Sequence, residues 1–318
     1  MSMNRPAGVR GSSYALMLVG GAAVWLALLG GGCLPTVSSQ RAEHSRQEAG
    51  AEQRVPPVYR DFGAPLAGLS AEELRRFDEG RKAFKFPYNE DLGLGPIFNM
   101  ISCFTCHDEP EPGGSSGFMT VTLFGRVDES NVFDPMTSAG GPVHQRFAVS
   151  QECKEVIPPE ASIRAVRATT PLFGTGLIEA IPDETILAMA DPDDADGDGI
   201  SGRPHMVYDI AEQRQRVGRF GWKAQVATLV TFSAAALASE CGITNRLFPD
   251  ETLPNGNRDL LATCDLVPDL EEPPDENGIS AFDRMADFQR LLAPPPPSPD
   301  PDPRGSELFG SLGCAACP

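Results

Sequence analysis

Five residues constrain this chain more than any others: Cys103-Phe104-Thr105-Cys106-His107. Two cysteines three apart with a histidine directly after them form the attachment spacing for c-type haem. Each thiol adds to one vinyl group of the porphyrin, and the neighbouring imidazole is placed under the ring as the proximal iron ligand. Two other chemistries use a CxxC pair. A thioredoxin-like redox pair wants a preceding strand and reducing surroundings, and a zinc site wants a second Cys/His pair at zinc spacing. Neither context surrounds this motif, so Cys103 and Cys106 are read as thioether anchors and His107 as the iron ligand.

The N-terminus supplies the compartment that such chemistry needs. Arg5 and Arg10 precede an apolar run from Tyr14 to Leu29, and Gly30-Gly31-Gly32-Cys33 follows. A basic segment, an apolar core and small residues at the cleavage point define an export signal. A cysteine after small residues adds a lipid-anchor pattern at Cys33, with Leu29 one place further away than that pattern wants. Residues 1–32 are thus expected to be a signal peptide and residues 33–65 a polar tether. The expected location is the periplasm, free or membrane-anchored on its periplasmic side, where disulfides survive. A formal net charge of -18 excludes nucleic acid as a natural partner. It suits an electron-transfer partner protein of opposite charge, or a small oxidant or reductant.

With 30 prolines and 32 glycines the chain is expected to be loop-rich. Ser70 and Glu73 form a capping box, and Leu74, Phe77 and Phe84 recur at helical spacing, which predicts a helix to Phe84. Further helices are predicted over 228–238 and 279–292, with few strands between. Residues 66–293 are read as a haem-c domain with insertions and residues 294–304 as a proline-rich linker. Residues 305–318 are read as the truncated start of a second cytochrome c domain. A weak repeat supports that division: Gly80 and Phe84 precede the first CxxC, and Gly305 and Phe309 precede Cys314-Ala315-Ala316-Cys317. Pro318 stands where the second histidine would be, which leaves a second haem at Cys314 and Cys317 in question. The expected class is mostly α and loop-rich, a cytochrome c-like fold with long irregular insertions.

Longer blocks carry a family resemblance. They are Gly93-Leu94-Gly95-Pro96 with Phe98-Asn99 before the haem motif, TPLFGTGLIEAIPDETILAMADPDDADGDGISGRP (170–204), RFGWKAQVATL (219–229), CGITNRLFPDE (241–251), FQRLLAPPP (288–296) and LFGSLGCAAC (308–317). Together they resemble the bacterial di-haem oxidoreductases, often labelled thiol oxidoreductases and distant relatives of di-haem cytochrome c peroxidases. The resemblance spans roughly residues 70–317. It implies two c-type haems, an exported location and redox chemistry of a peroxidase-like kind, and it implies no particular substrate. A non-catalytic electron carrier and an inactive fragment are the alternatives.

A peroxidase needs an acid/base for peroxide protons. Glu179, among Leu177, Ile178, Ala180 and Ile181, is the sequence candidate, since an apolar setting raises a carboxyl pKa. The competing reading is a structural glutamate bonded to backbone or to Arg164 or Arg167. The distal iron ligand stays open among His144, His205, Met100, Met119, Met136, Met189 and Met206. Trp222 is a core tryptophan or an electron relay, and Lys223 and Gln225 are candidates to face a haem propionate. Asp194, Asp196 and Asp198 with Gly199 follow the calcium-loop pattern DxDxDG, although His205 occupies the twelfth place where glutamate belongs. Cys241 and Cys264 enclose a loop and suit a disulfide, with Cys153 either left over or displacing one of them.

Overall fold

The computed structural model describes residues 62–316, residues 268 and 299 excepted. The chain divides into two units, residues 1–54 and 55–318, and everything below concerns the second. The expected signal peptide, Cys33, most of the tether, Cys317 and Pro318 lie outside the described residues.

Three helices form the heart of the structure. Helix α1 (Ala71–Lys85) starts at the capping box: the Glu73 N–H donates to Ser70 Oγ at 3.2 Å and the Ser70 N–H to Glu73 Oε2 at 2.8 Å. Two orphan amides of the first turn are satisfied in this way. Phe77, Gly80 and Phe84 recur on one face of α1 and are buried. That face lies on helix α6 (Ala281–Leu291), where the Phe288 ring is 5.2 Å from Phe77 and 5.0 Å from Phe84. Helix α4 (Leu229–Cys241) completes the layer, with Thr228 as N-cap and Gly242 at φ 68° ending it. Gly242 is needed twice there: for the left-handed turn, and because a Cβ would stand 2.4 Å from the Gly95 carbonyl oxygen. Phe77, Phe84, Leu237, Ile243, Phe282, Met285, Phe288 and Leu292 form one buried cluster.

The remaining short helices are α2 (Thr175–Glu179), α3 (Asp183–Ala188), α5 (Leu261–Cys264) and α7 (Pro303–Ser311). Strand β1 (Ile97–Phe98) pairs with β5 (Phe147–Ala148). Strand β2 (Thr120–Val127) is the spine of a four-stranded antiparallel sheet. It holds β6 (Ile163–Ala168) along most of its length, and β3 (Phe133–Asp134) and β4 (Val143–His144) over two pairs each. Strands β7 (Met206–Asp209) and β8 (Arg214–Val217) make a hairpin.

The mostly-α expectation is therefore corrected. The fold is 32% helix and 16% strand, with seven helices and several sheets among the described residues, and it remains loop-rich. Most strands are only two to four residues long, and β6 shows little burial, so no core face imposed an apolar alternation on them. The disulfide joins Cys153 to Cys264, with Cα atoms 5.8 Å apart. Cys153 thus takes the place of Cys241, which stays free and buried in α4. No helix among the described residues is long and apolar enough to cross a membrane.

Candidate haem site

The CxxCH motif begins on a 3-10 turn, Cys103–Thr105, and Cys103 and Phe104 pack against the core that α1 and α6 share. Ser102 Oγ and Thr105 Oγ1 are 2.9 Å apart, and the His107 N–H donates to the Cys103 carbonyl at 3.1 Å. Neither sulfur is in a disulfide. Cys103 Sγ lies 3.7 Å from Met285 Sδ on α6, and the Phe84 ring stands 6.2 Å from the His107 ring.

His107 is fixed by its own loop. Its Nδ1 donates to the Gly114 carbonyl at 2.9 Å, since a carbonyl can only accept. Gly114 is required there, because a Cβ would lie 1.8 Å from the Glu109 carbonyl oxygen, in the tight pairing of Glu109 with Ser115. Burial holds the His107 pKa below the ordinary histidine value, with the Gly114 and Thr170 carbonyls acting the other way. The ring is thus neutral, which is the form that binds iron. Burial also pushes the Cys103 thiol up to about 12 and the Cys106 thiol up to about 11, Glu240 adding to the second.

A buried polar chain runs outward from the motif. Asn99 Nδ2 donates to Glu240 Oε2 at 2.8 Å, and Asn99 Oδ1 accepts the Arg146 backbone N–H at 3.1 Å. Next along, Gln145 Nε2 donates to the Ser239 carbonyl at 3.0 Å, and the Gln145 N–H donates to Glu155 Oε2 at 2.8 Å. Glu155 is only 2% exposed, and burial raises its pKa to about 7. Glu240 is raised for the same reason. Gln145 Oε1, Glu155 Oε1 and Arg146 Nε are buried with no hydrogen-bond partner among the described residues. Sequence reasoning missed these groups. The one signal for Glu240 was a lone carboxylate at the end of the apolar run TLVTFSAAALASE (228–240).

The other candidates are dispersed. Glu179 is held by Arg290, whose Nε donates to Oε2 at 2.5 Å, and its Oε1 accepts the Leu229 N–H at 2.7 Å. Of the calcium candidates, Asp194 and Asp196 converge with Asp191 rather than with Asp198. The Asp191, Asp194, Asp196 and Asp198 carboxylates all accept backbone amides of their own loop. His144 is half-buried in β4, and His205 Nδ1 donates to the Lys223 carbonyl at 3.0 Å. Met100 and Met136 are buried, and Met189 and Met206 are exposed. Trp222 is 56% exposed rather than in the core, with the Arg167 guanidinium 5.5 Å over its ring. The Gln225 side chain accepts the Lys223 N–H at 2.9 Å. Cys314 is exposed after α7.

The residues present fit a covalently attached haem. Two unpaired thiols and a histidine whose Nδ1 donates to the Gly114 carbonyl are the donor set such a haem would need. Two surface hollows, of about 560 and about 510 Å3, are lined by other residues, including Lys82 and Phe86 in both.

The CxxCH turn is a candidate site for a covalently attached haem. The family model described as "Di-haem oxidoreductase, putative peroxidase" matches residues 128–287, half of the chain and downstream of the CxxCH turn. The chain belongs to that di-haem oxidoreductase family. No curated protein and no solved structure matches it.

Proposed function

We propose that this is an exported c-type haem redox protein whose CxxCH haem serves a peroxidase-like oxidoreductase activity. The observation that carries it is the His107 Nδ1 bond to Gly114 beside two unpaired thiols on one turn. Cys103 and Cys106 hold the haem covalently and His107 ligates its iron. Bound there, haem supplies an iron centre that takes up and releases single electrons. Export to the periplasm, with lipid tethering through Cys33, is supported by the N-terminal pattern of residues 1–33. The partner is an electron-transfer protein or a small oxidant or reductant.

The protein's own contribution is orientation and proton handling. The Gly114 carbonyl fixes the imidazole tautomer, and the Phe84 ring stands 6.2 Å from it. Glu155, with a pKa near 7, holds or releases a proton at physiological pH. Glu179 is neutralised by Arg290, which suits anchoring of α2 to α4 and α6.

The test is a haem count. Residues 34–318 are expressed in the periplasm of a host with haem-attachment machinery, then read by intact mass and pyridine haemochrome. Covalent haem that vanishes when Cys103→Ala and Cys106→Ala are combined supports the proposal. A second haem per chain would place it at Cys314 and Cys317. Absence of covalent haem overturns the proposal. A high-spin ferric spectrum in the loaded protein supports catalysis, and a six-coordinate low-spin one supports electron carriage.

A further inference from the structure

Arg146 stands apart from the other sheltered arginines. Arg216 and Arg219 both hold Asp183, and Arg290 holds Glu179. Arg219 Nε is unpaired too, yet its guanidinium still has a carboxylate. Among the described residues no carboxylate lies within ion-pair reach of Arg146. Its Nη2 donates to the Thr120 carbonyl, and its Nε is buried with no partner. A guanidinium offers five donors in a planar fork that matches a carboxylate. Leaving a buried charged donor unpaired is costly, so the arrangement implies a missing acceptor.

The position of Arg146 says which acceptor. Its backbone is tied to Asn99, four residues before Cys103, and Asn99 also fixes Glu240. Arg146 and Glu240 both act electrostatically on the Cys106 sulfur. The Asn99 amide occupies Glu240 Oε2, and Arg146 turns to the Thr120 backbone instead. The guanidinium therefore lies within electrostatic reach of Cys106 and of Glu240, with its Nε left free for a group that would be attached at Cys103 and Cys106. A porphyrin of this type carries two propionate carboxylates. Lys223 and Gln225, the sequence candidates for that role, bond to each other in a turn beside exposed Trp222.

We propose that Arg146 binds a haem propionate, with Asn99 and Glu240 positioning it. This rests on the haem site proposed above. The bound pair would place a positive charge beside the porphyrin, which favours the reduced iron and raises its midpoint potential.

The experiment uses the haem-loaded protein and reads resonance Raman propionate bending bands together with a spectroelectrochemical midpoint. Arg146→Gln is expected to shift a propionate band toward that of a water-exposed haem peptide and to lower the midpoint. Arg146→Lys, which keeps the charge but loses the fork, is expected to keep the midpoint nearer to wild type. A fully loaded Arg146→Gln protein with wild-type band and midpoint overturns the proposal. Where Arg146→Gln fails to accumulate, the wild-type spectrum decides. Both propionates at the water-exposed frequency overturn the proposal, and one at a hydrogen-bonded frequency that Arg146→Lys moves supports it. Wild-type protein without covalent haem overturns the haem assignment itself, and the haemochrome assay reports that separately.

Discussion

Glu155 presents one carboxylate oxygen to the Gln145 N–H at 2.8 Å, and the Gln145 and Asn255 backbone amides both act to lower its pKa. Its pKa is raised from the ordinary carboxylate range to about 7, burial being the largest cause. The folded protein therefore keeps a proton that the unfolded chain releases, and stability falls as pH rises from about 4.5 to about 7. Glu155→Gln should remove that slope. The two proteins should match near pH 4 and differ by on the order of 2 kcal/mol in favour of the variant at pH 8. Denaturant unfolding at several pH values measures the difference. Parallel curves would show that Glu155 ionises without cost and holds no proton at neutral pH.

Glu179 tests whether a carboxylate in an apolar sequence is chemical or structural. It bonds Arg290 and the first amide of α4, where a negative charge also favours the helix dipole. Glu179→Ala should destabilise by roughly 1–3 kcal/mol, a range lowered because Arg290 is one-third exposed. Haem content and midpoint potential should not change. A variant of unaltered thermal stability with lost peroxidase turnover would instead make Glu179 a participant in proton transfer.

The Cys153–Cys264 bond closes a loop with a sequence separation of 111. Peptide mapping without reductant should recover that linked pair, and Cys241→Ala should leave it intact. Replacing Cys153 and Cys264 together by serine should cost about 2–4 kcal/mol. A recovered Cys241–Cys264 peptide would refute the pairing. Because Glu155 lies two residues from Cys153, the same double variant should also flatten the pH dependence assigned to Glu155.

Local signals made the helices and the CxxCH motif legible. The Ser70–Glu73 capping box, the apolar spacing of Phe77 and Phe84 and the CxxCH spacing all act over a few residues. The three predicted helices appear within three residues of their expected ends, and Gly242 supplies the stop for α4 that the sequence left unread. Leu74, counted on the apolar face, is partly exposed, because that face narrows toward the first turn. Strands such as β1 and β5 are made by partners 50 residues apart, and nothing in two residues announces them. The polar chain from Asn99 to Glu155 was illegible for a related reason. Its members come from four separate segments, and only tertiary burial makes them unusual.

The two CxxC-leading helices give the sharpest comparison. In α1, a Cβ on Gly80 would stand 2.3 Å from the Arg284 carbonyl oxygen and 2.8 Å from the Phe288 nitrogen, both backbone atoms of α6. Backbone cannot yield as a side-chain tip would, so Gly80→Ala should destabilise by about 2–3 kcal/mol. In α7, a Cβ on Gly305 meets nothing within 4 Å. Gly305→Ala should be neutral or stabilise by up to about 1 kcal/mol, through helix propensity alone. Thermal unfolding of the two variants side by side measures the contrast. Phe84, one turn beyond Gly80, touches both Phe288 and the His107 ring. Forcing α1 away from α6 should therefore also loosen the imidazole, and Gly80→Ala should bind less haem per chain than Gly305→Ala. Equal haem content in two variants of unequal stability would separate helix packing from the orientation of His107.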